Sequence, residues 1–185
     1  MNARHRSGPV RVTRLEDTPP QRWRNGGGWT RELLALPDTD DWQVRVSVAD
    51  IESDGSFSSF PGVRRFFSVL QGAGVELNID GRTVRVTRDD AALQFAGEAK
   101  TSCRMLDGPT RDLNLMVRGT TGALERVVAD VAWEPRAQSC GLFAMAEGRC
   151  RADDASMPVS AFSLLWFERV PGSLSFDSAG WWLAA

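Results

Sequence analysis

Histidine is almost missing from this chain: His5 is the only one in 185 residues. A Ser–His–Asp or Cys–His catalytic set would have to use it, from a polar N-terminal stretch expected to be loosely held. A metal-binding β-barrel enzyme needs two or three histidines with a carboxylate on neighbouring strands. The stretch from Gly72 to Asp80, where such ligands are expected, has no histidine, and Glu76 alone cannot hold a transition metal. Lysine is as scarce, with Lys100 alone, so the basic residues are nearly all arginine. The net charge is -2, which gives no global field to draw nucleic acid or an anionic membrane. The three cysteines, Cys103, Cys140 and Cys150, form no CxxC pair. An odd, scattered set points to reduced thiols, with neither a disulfide framework nor a zinc site. Long apolar runs are lacking, so no membrane-spanning segment is expected. The segment Met1 to Val12 is polar and basic, without the apolar centre of a secretory signal. The expectation is a cytoplasmic protein without metal or other cofactor.

What remains is globular in composition, 42% apolar and 25% charged. A chain of this length can bury roughly 70% of its unfolded surface and needs no staple to fold. Short apolar or alternating runs recur between Gly, Pro, Asp and Asn, which predicts an all-β sandwich or barrel. Trp42, Val44, Val46 and Val48 alternate with Gln43, Arg45, Ser47 and Ala49, a period-2 strand. Asp80-Gly81 lies between two β-rich runs and predicts a hairpin. Phe66–Leu70, Ala92–Phe95, Leu113–Val117 and Leu124–Val131 continue the series. Helix is expected only at Glu16–Arg22, broken by Pro19-Pro20, and in a short turn around Asp153–Met157. Phe67–Gly72 is echoed by Phe143–Gly148, and Leu93–Phe95 by Leu165–Phe167. Offsets of about 75 residues suggest two similar β units, chance likeness of apolar strands being the alternative.

Three stretches carry candidate chemistry. Trp23–Glu32 contains Gly26-Gly27-Gly28, which leaves backbone open to close approach. It is no phosphate-binding loop, because no Gly-Lys-Ser/Thr follows. Its plainer reading is a bend entering a strand. Asp54–Arg65 ends in two arginines, and an arginine at a strand mouth can clamp a carboxylate. Only one of Arg64 and Arg65 can face inward, because neighbours in a strand face opposite ways. In Leu106–Met116, Asp112, Asn114 and Met116 share one strand face, and asparagine offers both donor and acceptor. The plainer reading is an outer face with a surface Asp–Arg pair.

Together these stretches resemble the HutD/Ves family. The likeness runs through Trp23–Glu32, Trp42–Ser47 with Ala49, Asp54–Arg65, the Leu70–Gly74 turn, Phe95–Gly97, Cys103 and Leu106–Met116. One departure is Ser56, where the family usually has proline. The resemblance implies a cupin-like (jelly-roll) barrel fold, with two barrel units in one chain. Residues 1–185 would then form one compact bicupin-like domain, with sub-units near 10–120 and 121–185 and strand exchange allowed between them. It also implies association with histidine utilisation or stress response, and a proposed ligand of the N-formyl or N-acyl amino acid class, such as formylglutamate. The expected site is Trp29, Thr30, Arg45, Ser47, Phe57, Arg65 and Asn114. Arg45 or Arg65 would take a carboxylate, Asn114, Ser47 and Thr30 would give directional hydrogen bonds, and Trp29 and Phe57 would form apolar walls. The opposite facing, with Arg45 in water, is the rival arrangement. A metal-independent isomerase or hydrolase with Glu32 or Glu76 as base is the alternative, as is a protein-interaction regulator using an exposed patch at Trp181-Trp182, although a final strand capping the second barrel is the preferred reading of that pair. A homodimer is compatible with all three.

Overall fold

The Asp80-Gly81 turn forms as its residues dictate. Both have positive φ, 49° and 87°, as a two-residue turn between twisted strands requires. In this computed structural model, which describes residues 9–185, that hairpin is one of many in an all-β chain. The chain divides into two units. We call residues Leu15–Thr120 the N unit, and Thr121–Ala185 with the described residues up to Arg14 the C unit.

Strand β1 (Val10–Arg14) belongs to the C unit. The N unit holds β2 (Gln21–Arg22), β3 (Gly28–Leu36), β4 (Val44–Ile51), β5 (Gly55–Ser56) and β6 (Val63–Gln71). It continues with β7 (Val75–Ile79), β8 (Arg82–Val86), β9 (Leu93–Ala96), β10 (Thr101–Met105) and β11 (Thr110–Arg118). The C unit adds β12 (Ala123–Arg126), β13 (Cys140–Ala144), β14 (Gly148–Ala152), β15 (Ala155–Val159), β16 (Ser163–Phe167), β17 (Leu174–Phe176) and β18 (Gly180–Ala184). The N unit pairs them as β2-β3-β4-β11-β6-β9 and β5-β10-β7-β8. The C unit pairs them as β12-β18-β13-β16-β1 and β17-β14-β15. Part of the two orders corresponds: β4 with β12, β11 with β18, β6 with β13, β9 with β16, and the hairpin β7-β8 with β14-β15, while β2, β3 and β5 of the N unit and β1 of the C unit lie outside the match.

Each unit closes two antiparallel sheets on an apolar core. In the N unit, Ile51, Phe67, Val69 and Phe95 of one sheet meet Val75, Leu77, Val86 and Cys103 of the other. In the C unit, Leu142, Leu165, Phe167 and Trp182 meet Cys150, Val159, Leu174 and Phe176. Alternation along each strand, not composition, selects these side chains.

Several expectations are corrected. Glu16–Arg22 is not helical: a turn at Glu16-Asp17 leads through Pro19-Pro20, which lack amide donors, into β2. Asp153-Asp154 is the tight turn of the β14-β15 hairpin, and Ser156 and Met157 are extended. The strand expected over Leu124–Val131 stops at Arg126. The echo also slips by one residue. Phe67 points into its core, whereas in β13 the inward residues are Leu142 and Ala144, which flank Phe143. The second echo keeps register: Leu93 and Phe95, like Leu165 and Phe167, face inward. Among the described residues, no helix is long and apolar enough to cross a membrane.

Candidate functional site

Strand alternation in the N unit builds a polar row beside the apolar core. On β4, Arg45, Ser47 and Ala49 face one way and Val44, Val46 and Val48 the other. Opposite them on β11 stand Met116, Asn114 and Asp112. On the other side, β3 pairs Thr30 with Ala49 and Glu32 with Ser47. A bulge then falls between Glu32 and Leu34, so that Leu34 pairs with Val46. That extra residue buries both Leu33 and Leu34 while Thr30 and Glu32 keep the polar face. On β6, Arg65 points inward and Arg64 is exposed, as neighbours in a strand must. These side chains line a cavity of about 570 Å³, walled by Trp23, Trp42, Phe57 and Phe60. The volume suits a small molecule.

Arg65 is the unusual member. It is 5% exposed, and its guanidinium lies 5.0 Å from the ring centres of Phe57 and Phe95 and 5.8 Å from that of Phe60. The ring faces offset part of the cost of burying the charge. Arg65 Nη2 donates to Asn114 Oδ1 at 3.1 Å, and Asn114 Nδ2 donates to Asp112 Oδ2. Two polar atoms of this chain of groups have no partner: Arg65 Nε and Asp112 Oδ1. Both residues line the cavity. A buried donor and acceptor left unpaired are costly. Burial pushes the Asp112 carboxyl up to about 8, against the opposing pull of Arg65 and the Asn114 hydrogen bond. Burial also lowers Arg65 to about 10, with Arg45 adding to the effect and Asp112 opposing it. Arg65 therefore remains charged at neutral pH.

At the side of the cavity, Arg45 Nε donates to Glu32 Oε2 at 2.6 Å. Thr30 Oγ1 accepts from Trp23 Nε1 at 2.7 Å, and Trp23 meets Phe57 edge-on, ring centres 6.3 Å apart. The Gly26-Gly27-Gly28 bend holds this corner. A Cβ at Gly28 would stand 2.3 Å from the Asp50 carbonyl oxygen, so only glycine lets β3 approach β4 there.

Of the residues expected from sequence, Thr30, Arg45, Ser47, Phe57, Arg65 and Asn114 meet at this cavity. Trp29 does not. It precedes Thr30 in β3 and so faces the other way, under the Arg22 guanidinium at 4.7 Å and beside Arg31 and Asp50. Burial works to raise Asp50, but hydrogen bonds and charge from Arg111 and Arg31, each 2.6 Å away, hold it below its ordinary value. Glu76 is paired with Arg104 at 3.0 Å and stands away from the cavity. Trp181 and Trp182 form no exposed patch: they are 0% and 2% exposed, in a central strand. His5 lies outside the described residues. Sequence reasoning missed Asp112 as a site residue, although its parity with Asn114 was available. It also set Trp42 with the valines, but Trp42 precedes β4 and turns to the cavity.

The cavity does not suit a transition metal. Its carboxylates, Glu32 and Asp112, are engaged by Arg45 and Asn114, and four arginines, Arg22, Arg24, Arg45 and Arg65, line the space. Among the described residues, no group of three or more His, Cys, Asp or Glu is placed to hold an ion.

Known proteins share this architecture. A 21.2 kDa protein from the hutC 3′ region of Pseudomonas putida is 40% identical over 109 residues, 58% of this chain and 57% of that protein. Protein Ves of Citrobacter koseri is 35% identical over 106 residues, 56% of each. The chain thus spans somewhat over half the length of these curated relatives. The structure of HutD from Pseudomonas fluorescens SBW25 matches with a TM-score of 0.84 at 28% identity, over 95% of this chain and 97% of that one. Ylba from Escherichia coli, 10% identical with a TM-score of 0.73 over 96% of this chain and 90% of that one, shows the fold alone. The fold is all-β and cupin-like, and with the HutD family model matching residues 15–183 the chain belongs to the HutD family.

Proposed function

We propose that the N-unit cavity binds a small carboxylic acid without a metal, and that the acid is an N-formyl or N-acyl amino acid such as formylglutamate. Binding would serve a regulatory role in histidine utilisation or stress response. The observation that carries this reading is Arg65: a charged guanidinium inside a barrel, in a residue that lines a cavity, with its buried Nε unpartnered. A charged donor in low dielectric makes a strong bond to an anionic oxygen, and the cost of burying it is already met by the fold. Ser47 and Thr30 add hydroxyls on the same wall, and Phe57 covers the guanidinium.

The rival enzymatic reading loses ground on geometry. Glu76 is outside the cavity, and Glu32 is held in an ion pair with Arg45. The protein-interaction reading loses its exposed Trp181-Trp182 patch. Isothermal titration with N-formyl-L-glutamate, N-acetyl-L-glutamate and succinate is the direct test. Saturable binding that is weakened at least about tenfold in Arg65→Lys supports the reading, because lysine keeps the charge but loses the Nε–H and the planar stack. No saturable heat from folded protein at millimolar ligand would refute it.

A further inference from the structure

A second residue that lines the cavity carries a buried unpartnered atom, and its chemistry differs from that of Arg65. Asp112 Oδ2 accepts from Asn114, while Oδ1 is buried and bonded to nothing. The side chain is 1% exposed. Its surroundings decide its charge. From β6, Arg65 is the nearest cation, but its hydrogen bond goes to Asn114. From β4, the residue directly across is Ala49, with Ser47 next on that face and Arg45 beyond it, already bound to Glu32 of β3. Asp50, on the reverse face of β4, adds negative charge. Thr30 of β3 is neutral and bonded to Trp23. From β10, Cys103 is a neutral thiol, pushed up to about 12 by burial and by Asp112 and Asp54. Arg111, beside Asp112 on β11, bonds to Asp50 and Gln71 instead. No cation is hydrogen-bonded to Asp112, so an ionised carboxylate would leave Oδ1 as a buried, bare anionic oxygen. A proton on Oδ1 turns it into a donor that lacks only an acceptor.

We propose that Asp112 recognises the ligand as a neutral carboxylic acid, its Oδ1–H donating to a formyl or acyl oxygen while Arg65 Nε–H holds the ligand carboxylate. This rests on the reading of the cavity as a carboxylate site and adds its selectivity. A free amino acid brings an ammonium group, which needs an anionic partner. Glu32 is taken by Arg45, Asp112 is uncharged, and Arg65 repels the cation. An N-acylated acid has no ammonium and presents a carbonyl oxygen instead. The site therefore takes N-acyl acids and rejects their free amino acids.

Two measurements test this. Carbon-13 NMR of aspartate-labelled protein, with Asp112→Asn to assign the resonance, reads the proton directly. The expected result is one carboxyl with its midpoint near 8, absent from the variant. A midpoint in the ordinary aspartate range overturns the inference without help from any ligand. Calorimetric titration with N-formyl-L-glutamate and with L-glutamate then reads the selectivity. The formylated acid is expected to bind at least about tenfold more tightly at neutral pH, and its affinity to fall about tenfold per pH unit above the Asp112 midpoint. Asp112→Asn, which has no proton to lose at that position, should show no such fall with pH. Equal affinity for the two acids, or a wild-type profile flat through alkaline pH, overturns the inference while leaving a carboxylate site intact. Failure of every acid to bind the wild-type protein at any pH defeats the reading of the cavity itself.

Discussion

In the N unit the residue paired with Phe95 across β6 and β9 is Arg65, whereas in the C unit the residue paired with Phe167 across β13 and β16 is Cys140. The same matching sets Asn114 of β11, opposite Phe67, against Trp182 of β18, opposite Leu142. It sets Asp112, opposite Val69, against Gly180, opposite Ala144. One strand order thus carries two kinds of interior. In the C unit the space is filled: Trp182 stacks on Trp133 with ring centres 5.1 Å apart and planes 3° apart, and Trp133 Nε1 donates to Glu125. In the N unit the equivalent row is polar and a cavity remains. The difference teaches what a buried charge requires. Arg65 comes with Asn114, Asp112 and three phenylalanine rings, while the C unit keeps one ring, Phe167 in place of Phe95, and omits the charge, the amide and the carboxyl. The two units thus share much of one strand order and differ in what fills it.

That contrast can be broken by moving one residue. Cys140→Arg places a guanidinium where Trp182 and Gly180 stand in for Asn114 and Asp112, in a position 0% exposed. Loss of about 4–5 kcal/mol or more is expected, read as insoluble protein or a collapsed urea midpoint. A smaller effect is expected from emptying the filled interior. Trp182→Ala should cost about 3–5 kcal/mol in chemical denaturation, through lost contact and the cavity left beside Trp133.

The next effect is set by pH and belongs to the N unit alone. The Asp112 carboxyl is raised from 3.8 to about 8 in the folded protein. Between those values the folded state holds a proton that the unfolded state has released. Its stabilising contribution is complete below the unfolded value and is lost as pH rises through the folded one. Urea midpoints should fall by an amount worth roughly 2–5 kcal/mol from about pH 5 to about pH 8, and Asp112→Asn should flatten that slope. Asp50 acts with the opposite sign: its lowered value gives stability above 3.8 that is lost only in stronger acid. The smallest effect is expected at Glu76→Gln. Its pair with Arg104 is 34% and 58% exposed, so the change should stay within about 0.5 kcal/mol and leave ligand affinity unmoved.

Some of this contrast is legible in the sequence. Period-2 alternation separates Arg45 and Ser47 from the valines, and the same rule leaves one of Arg64 and Arg65 for the solvent. Asp80-Gly81 announces its hairpin. The same alternation also forbids Trp29 and Thr30 from sharing a wall, a constraint that the expected site did not respect. Other features are not local. Asp112 is buried between residues distant in sequence, with Ala49 of β4 and Val69 of β6 beside it, so its perturbed proton cannot be read from Arg111-Asp112-Leu113. The bulge after Glu32 depends on pairing with β4. The one-residue slip between Phe67 and Phe143 emerges only from strand register, because an apolar residue suits either buried face.

The central claim is that Arg65 Nε–H holds a ligand carboxylate inside the N unit. The most direct measurement is the Arg65 Nε–H resonance in nitrogen-15 NMR during titration with N-formyl-L-glutamate. The expected result is a saturable downfield shift at one-to-one stoichiometry, as the unpartnered donor gains a charged acceptor. An Arg65 resonance that stays still while the acid binds elsewhere, or while nothing binds at all, would contradict the claim.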